Sequence, residues 1–255
     1  MKQYPITPAA GKRLIGKAAA NDPSVKRALE SGTVVVVAGT TNGYVAQELL
    51  GSIGQGETFD RSRFFRGITL PQSQTRTDSG RLPDQSGFPG DVVIAKGEWQ
   101  TGKTIYDVVD ELREGDVILK GANAVDMTRQ RAAILIGHPK GGTIAAALQA
   151  VIGRRVELVI PVGLEKRVFG DLDTLAETMN QSGGEGPRLW PVPGRIITEL
   201  HAIALLTGAT AELVSAGGVG GAEGSVWLAV SGTPAQEKAA ADLLDAVVRE
   251  PPFEP

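Results

Sequence analysis

Short apolar runs without polar alternation recur along this chain, and each is closed by glycine. Residues 33–38, 91–95, 116–120 and 156–160 carry Val, Ile, Leu or Ala in succession and are followed by Gly39, Gly97, Gly121 and Gly163. Runs of that kind fit strands buried on both faces. Helix-length segments lie between or beside them, at 45–50, 104–112, 143–152 and 172–180. The alternation predicts an α/β fold, a mostly parallel sheet flanked by helices. The front end reads as helical. Asp22 is placed to cap a helix that starts at Pro23, with Val25 and Leu29 on one face and Gly32 as its stop. Further on, a helix is predicted over 196–206, then strands over 211–216 and 225–230 joined by the glycine-rich stretch 217–224. A last helix over 234–248 completes a C-terminal β-hairpin and helix. The expectation is a single α/β domain over 1–255, with 195–255 as an α-β-β-α appendage. Residues 71–90, rich in Ser, Gln, Asp, Gly and Pro, fit no element. With Arg61, Arg63, Arg66, Arg76 and Arg81 in or near it, this stretch reads either as a functional lid able to grip an anion or as a solvated loop.

Composition narrows the chemistry. There is no cysteine among the 255 residues and there are only two histidines, which removes thiolate metal sites, disulfides and cysteine nucleophiles and leaves little for a histidine-based metal site. No metal and no cofactor is expected. A formal net charge of −3 lacks the basic excess that carries phosphate-backbone binding, so nucleic acid is not an expected partner. No apolar run approaches the length of a membrane span and the first residues have no signal-peptide core, so no membrane partner and a cytoplasmic location are expected.

Three strand-to-turn junctions carry the candidate chemistry. Gly39, Thr40, Thr41, Asn42 and Gly43 form a small-residue turn between a strand and a helix. Backbone N–H groups and the helix dipole there suit a phosphate or carboxylate, although any α/β protein needs such turns. It is neither a Walker loop nor a dinucleotide fingerprint. Lys120, Asn123 and Asp126 follow another strand and offer a cation, an amide and a carboxylate at the crevice where open α/β sheets bind ligands. Asx residues also fill turns for purely structural reasons. Lys140, Gly141, Gly142 and Thr143 make a third turn and helix start, with His138 beside Pro139 reading as a turn residue rather than a ligand. Glu165 and Lys166 follow the fourth strand, either facing the same crevice or forming a surface ion pair. Glu98, Glu199, His201 and Glu223 are further carboxylates and imidazole without an evident partner, Glu199 and His201 being two apart on a helix and so not facing each other.

Taken in order, these junctions resemble the superfamily of ribose-5-phosphate isomerase A, glucosamine-6-phosphate isomerase and the coenzyme A transferases. Gly39 to Gly43 stands where those isomerases have a GTGST phosphate loop. The stretch from Lys120 to Asp126 stands where they have DGADEVD, and the stretch from Lys140 to Ala145 where they have KGGGGA. The similarity runs over about residues 15–170, and the run around Gly163 to Lys166 is also similar to lactate-utilisation protein C relatives. Lys120, Asn123 and Ala124 replace the family's Asp, Asp and Glu, and Gln149 falls where its catalytic glutamate would be. The resemblance therefore implies an anion-binding scaffold with altered chemistry. On that basis the expected function is to bind and transform a phosphorylated or otherwise anionic small molecule, sugar phosphate-like, at the carboxyl ends of the strands. Lys120, as electrophilic donor or base, and Asp126, as proton carrier, are the expected catalytic residues. A non-catalytic metabolite sensor of the same fold, or a coenzyme A ester enzyme using Glu223, are the alternatives, and a homodimer is the expected assembly.

Overall fold

The computed structural model describes residues 1–67, 69 and 87–254. In chain order the elements are β1 (Lys2–Ile6), α1 (Pro8–Asn21), α2 (Pro23–Ser31), β2 (Thr33–Val36), α3 (Thr40–Ser52), β3 (Val92–Ala95), β4 (Glu98–Trp99), α4 (Ile105–Val108), β5 (Val117–Leu119), β6 (Ala124–Asp126), β7 (Arg131–Ile136), α5 (Gly142–Arg154), β8 (Glu157–Pro161), α6 (Leu172–Met179), β9 (Arg188–Val192), β10 (Arg195–Ile197), α7 (Glu199–Thr207), β11 (Thr210–Ala216), β12 (Val226–Ser231) and α8 (Pro234–Val247). The predicted loop over 71–90, with Arg76 and Arg81, lies outside the described residues as far as 86.

A six-stranded sheet in the order β10-β8-β5-β2-β3-β4 forms the middle layer. Its strands β10, β8, β5 and β2 are parallel, with Val34 opposite Val117 and Ile118 opposite Leu158. Successive residues of β2 feed opposite faces. Val34 and Val36 join Leu14, Leu49, Ile203 and Leu244 in one buried cluster, while Val35 joins Ile105, Ala147 and Ile160 in another. That is why these strands read as continuous apolar runs. The first cluster also takes in Ile6 and Leu228, so the N-terminal strand and the C-terminal hairpin pack onto the same layer as α1.

The mostly parallel expectation holds only for those four strands. Strand β3 lies antiparallel to β2, and the left-handed Lys96 and Gly97 turn the chain straight back from β3 into β4 instead of into a crossover helix. The apolar run at 134–136 belongs to a separate antiparallel sheet, β6-β7-β9. A third sheet, β1-β12-β11, is antiparallel as well, with Pro5 tolerated because β1 is an edge strand. The predicted helix over 196–206 begins later than expected. Ile196 and Ile197 extend the parallel sheet beside β8, and α7 starts after Thr198, whose backbone N–H donates to His201 Nδ1 at 3.3 Å. The helix expected over 104–112 is one α-turn followed by a 3-10 turn. The hairpin and last helix predicted for the C-terminal region are present as β11, β12 and α8. Asp22 caps α2 as predicted, accepting from Ser24 N at 3.0 Å, and its carboxylate is also gripped by Arg195 at 2.8 and 3.0 Å.

Candidate functional site

The carboxyl ends of β2, β5 and β8 open on one side of the sheet, and a cleft of about 820 Å³ lies there. That is a normal size for a small-molecule site. Three helices begin at its wall. Thr7, Pro8 and Ala9 belong to the start of α1, Thr40, Thr41 and Asn42 to the start of α3, and Gly141, Gly142 and Thr143 to the start of α5. The first turn of a helix leaves backbone N–H groups unpaired and carries the positive end of the dipole. Neither α3 nor α5 uses a side chain to cap itself. At α5 the chain enters through Gly141 and Gly142 at φ 78° and 62°, a left-handed path that a side chain would resist.

Four cationic side chains add to this field: Lys12 from α1, Arg66, Lys120 after β5 and Lys166 after β8. Arg66 is spoken for, since it pairs with Asp91. Asp91 is fully buried and holds the loop after β2 in place. It accepts from Ala38 N at 2.9 Å and from Ile105 N at 2.8 Å. Among the described residues, none of Lys12, Lys120 and Lys166 is in a salt bridge. Lys166 Nζ donates to Ala122 O at 3.0 Å, and Lys120 Nζ reaches only Gly121 O, at 3.5 Å. Burial lowers the Lys120 ammonium to about 8, with Arg66 and Lys166 pushing the same way and Asp91 opposing. Lys166 is also lowered, chiefly by burial. In the first turn of α3, Thr41 Oγ1 and Asn42 Oδ1 are buried without a hydrogen-bond partner among the described residues. Asn42 Nδ2 meanwhile donates to Val37 O at 2.7 Å and Leu119 O at 2.9 Å, tying the ends of β2 and β5 together.

Most of the sequence-predicted residues meet here: Gly39, Thr40, Thr41, Asn42, Lys120, Asn123, Gly141, Gly142, Thr143 and Lys166 all line the cleft. Four do not. Gly43 faces away, and a Cβ there would lie 3.0 Å from Arg61 Cγ, so its smallness serves helix packing. Asp126 turns its carboxylate onto Thr128 N at 2.8 Å and Arg129 N at 3.2 Å, closing the β6–β7 turn, which removes it as proton carrier. Lys140 is exposed on the turn before α5, where its backbone N–H donates to His138 Nδ1 at 3.1 Å. Glu165 is not part of the lining, and both its oxygens are buried with no hydrogen-bond partner among the described residues. Asn123 lines the wall but spends its Oδ1 on Leu135 N at 3.0 Å.

Sequence reasoning missed Lys12, Arg66 as a partner of Asp91, and the tail residues Glu250, Pro252 and Phe253, which form part of the wall. The signal for Lys12 was the Thr7-Pro8 pair, a cap followed by a first-turn proline, which announces a helix start. Glu223 lines the mouth from the glycine-rich loop, accepting from Gly221 N at 2.9 Å. Glu199 is buried, its Oε2 accepts from Leu164 N at 2.9 Å, and burial followed by the nearby Glu165 raises its pKa to about 8. Among the described residues no group of three or more metal-ligating acids and imidazoles comes together, and no helix is long and apolar enough to cross a membrane. No protein-family model matches the chain, and neither does any curated protein or solved structure.

Proposed function

We propose that this protein binds a phosphorylated or otherwise anionic small molecule, of sugar-phosphate type, in the cleft at the carboxyl ends of β2, β5 and β8. One observation carries the reading: three helix starts and three lysines free of salt bridges among the described residues converge on a single cavity. Positive potential at that density is costly to assemble without an anion to neutralise it. The unpartnered Thr41 Oγ1 supplies a hydroxyl and Asn42 Oδ1 an acceptor close to the α3 turn, suited to a hydroxylated ligand. The order of the turns is similar to that of the sugar-phosphate isomerase and coenzyme A transferase superfamily, which supports the same ligand class by analogy of scaffold. Loss of the family's carboxylates at Lys120, Asn123 and Ala124 argues for different chemistry at the reacting end.

The test is a thermal-shift and calorimetric series with inorganic phosphate, sugar phosphates, nucleotides and coenzyme A esters, each beside its unphosphorylated parent. A ligand at about 100 times its Kd adds about 2.7 kcal/mol of stability, a rise of a few degrees in Tm. The expected pattern is stabilisation by phosphorylated compounds alone, weakened by added salt and reduced about tenfold in affinity by Lys166→Met, a loss of about 1.4 kcal/mol. Equal response to parents and phosphates would overturn the reading. Following a hit by NMR over time separates an enzyme, which consumes it, from a sensor, which returns it unchanged.

A further inference from the structure

Lys120 stands apart from the other two lysines of the cleft. Lys166 is anchored on Ala122 O and has Glu165 and Glu199 behind it, and Lys12 projects from a helix wall. Lys120 follows the last residue of β5, and its own N–H donates to Val159 O at 3.0 Å, so its backbone is fixed to the sheet. Its Nζ has no carboxylate partner among the described residues. Asp91, the acid whose charge acts on Lys120, cannot serve, because Arg66, Ala38 N and Ile105 N already occupy its oxygens. Arg66 and Lys166 line the same cleft, and their like charges favour the neutral amine. The next residues, Gly121 and Ala122, are small, and both line the same cleft as Lys120 and Thr41.

An amine that is desolvated, crowded by cations and free of a carboxylate is the arrangement that makes lysine a nucleophile. We propose that Lys120 forms an imine with the carbonyl carbon of a phosphorylated aldehyde or ketone whose phosphate rests at the start of α3. This rests on the anion-binding reading and names the substrate class within it. The neutral Nζ lone pair attacks the carbonyl carbon while the carbon–oxygen π pair moves to oxygen, giving a carbinolamine. Protonation of that hydroxyl from solvent lets it leave as water, and nitrogen keeps one proton as the iminium. The balance is amine plus carbonyl plus one proton giving iminium plus one water, and no oxidant or reductant enters. The iminium then draws electrons from the neighbouring carbon more strongly than the carbonyl did, so proton loss or carbon–carbon cleavage beside it becomes accessible.

The probe is pyridoxal phosphate, a phosphorylated aldehyde, added to the intact protein, reduced with borohydride, and mapped by peptide mass spectrometry. At neutral pH the adduct is expected on Lys120 at least about tenfold faster than on exposed Lys26, which is hydrogen-bonded to Asn21, or Lys238, which is ion-paired with Asp242. Inorganic phosphate is expected to suppress it, and pyridoxal without the phosphate to give far less. The rate at Lys120 is expected to rise with a midpoint near 8, set by burial and by Arg66, Lys166 and Asp91. Phosphate that stabilises the fold while Lys120 stays unlabelled would overturn the imine and leave the anion site standing. Labelling of Lys120 equally by pyridoxal, without competition by phosphate, would overturn the phosphorylated substrate class together with the anion site. Lys120→Arg is expected to lose the adduct's absorbance with a cooperative melt retained. Should that variant fail to fold, the peptide map of the unaltered protein decides alone.

Discussion

At the residue scale, Glu199 and Glu165 are the least comfortable side chains described. Glu199 is 1% exposed in the first turn of α7, and a Cβ at Gly11 would lie 2.4 Å from its Oε1. Glu165 has two buried oxygens without a partner among the described residues, and a Cβ at Gly163 would lie 1.8 Å from one of them. A second carboxyl close by in the same desolvated region disfavours the charged form of Glu199. Burial, and then the Glu165 charge, raise Glu199 above its ordinary value of 4.5. A raised folded value means the folded state holds its proton more tightly than the unfolded chain. Stability from this group is therefore complete below about 4.5 and lost as pH rises through the folded value. The prediction is a Tm that falls between about pH 5 and about pH 9, and a Glu199→Gln variant that falls less. The amide still accepts from Leu164 N but has no charge to bury. The variant's relative gain at the higher pH should be on the order of 1 kcal/mol or more, read from melts at both pH values. Parallel Tm profiles for the two proteins would show that Glu199 is ionised, and stabilised, where it stands.

At the scale of elements, α1 against α3 is the closest helix contact that shapes the cleft. A Cβ at Gly16 would lie 3.0 Å from both the backbone carbon and oxygen of Tyr44, and backbone cannot swing aside as a side-chain tip can. Tyr44 is itself held between the guanidiniums of Arg13 and Arg61, at 4.9 and 4.1 Å from its ring centre. Gly16→Ala is expected to cost about 1–3 kcal/mol by forcing the two helices apart, despite alanine's better helix propensity. Urea unfolding measures it, and a stabilised variant would mean the interface is looser than these distances. None of this closeness is visible in the sequence, where Gly16 is one small residue between Ile15 and Lys17. What could be read were elements whose burial leaves a pattern. Val34 to Val37 is apolar throughout because both of its faces are covered. In the sequence, strand β10 reads as the start of a helix because Ile196 and Ile197 run directly into the periodic residues of α7. Strand β7 showed its apolar run but not its sheet, since a run of Ala, Ile and Leu does not name its partners. The site followed the same rule. Lys120 and Thr41 were legible because a polar residue after a buried strand has few places to go. Asp126 and Gly43 have the same local signature yet serve a turn and a helix contact, and Lys12 looked like any surface lysine because its wall forms only when α1 packs.

At the scale of the whole molecule, the cleft gathers Lys12, Arg66, Lys120 and Lys166 in a protein of net charge −3, so under the proposed function distant charges would work weakly against an anion while these side chains work for it. One carboxylate in the wall qualifies that balance. Glu250 accepts from Arg13 at 2.9 and 3.0 Å and pairs with Arg61 at 3.3 Å, and it leads into Pro252 and Phe253, the latter resting edge-on against Phe65 at 5.9 Å. The tail is thus both a wall and a neutralising charge. Replacing Glu250 with Gln separates the two roles, because the amide keeps the shape and one acceptor while the charge disappears. Stability is expected to fall by about 1–3 kcal/mol, since Arg61 loses its ion pair and Arg13 retains Glu48 at 2.8 Å. Affinity for inorganic phosphate should move the other way, tightening severalfold at low salt as two guanidiniums add to the field. Near 1 M salt the screening length shrinks to about 3 Å, and the advantage should vanish. Calorimetry at low and high salt reads this directly. A loss of affinity that is the same at both salts would mean that the tail's position, rather than its charge, governs binding, and the wall would then be the feature that admits or excludes the ligand.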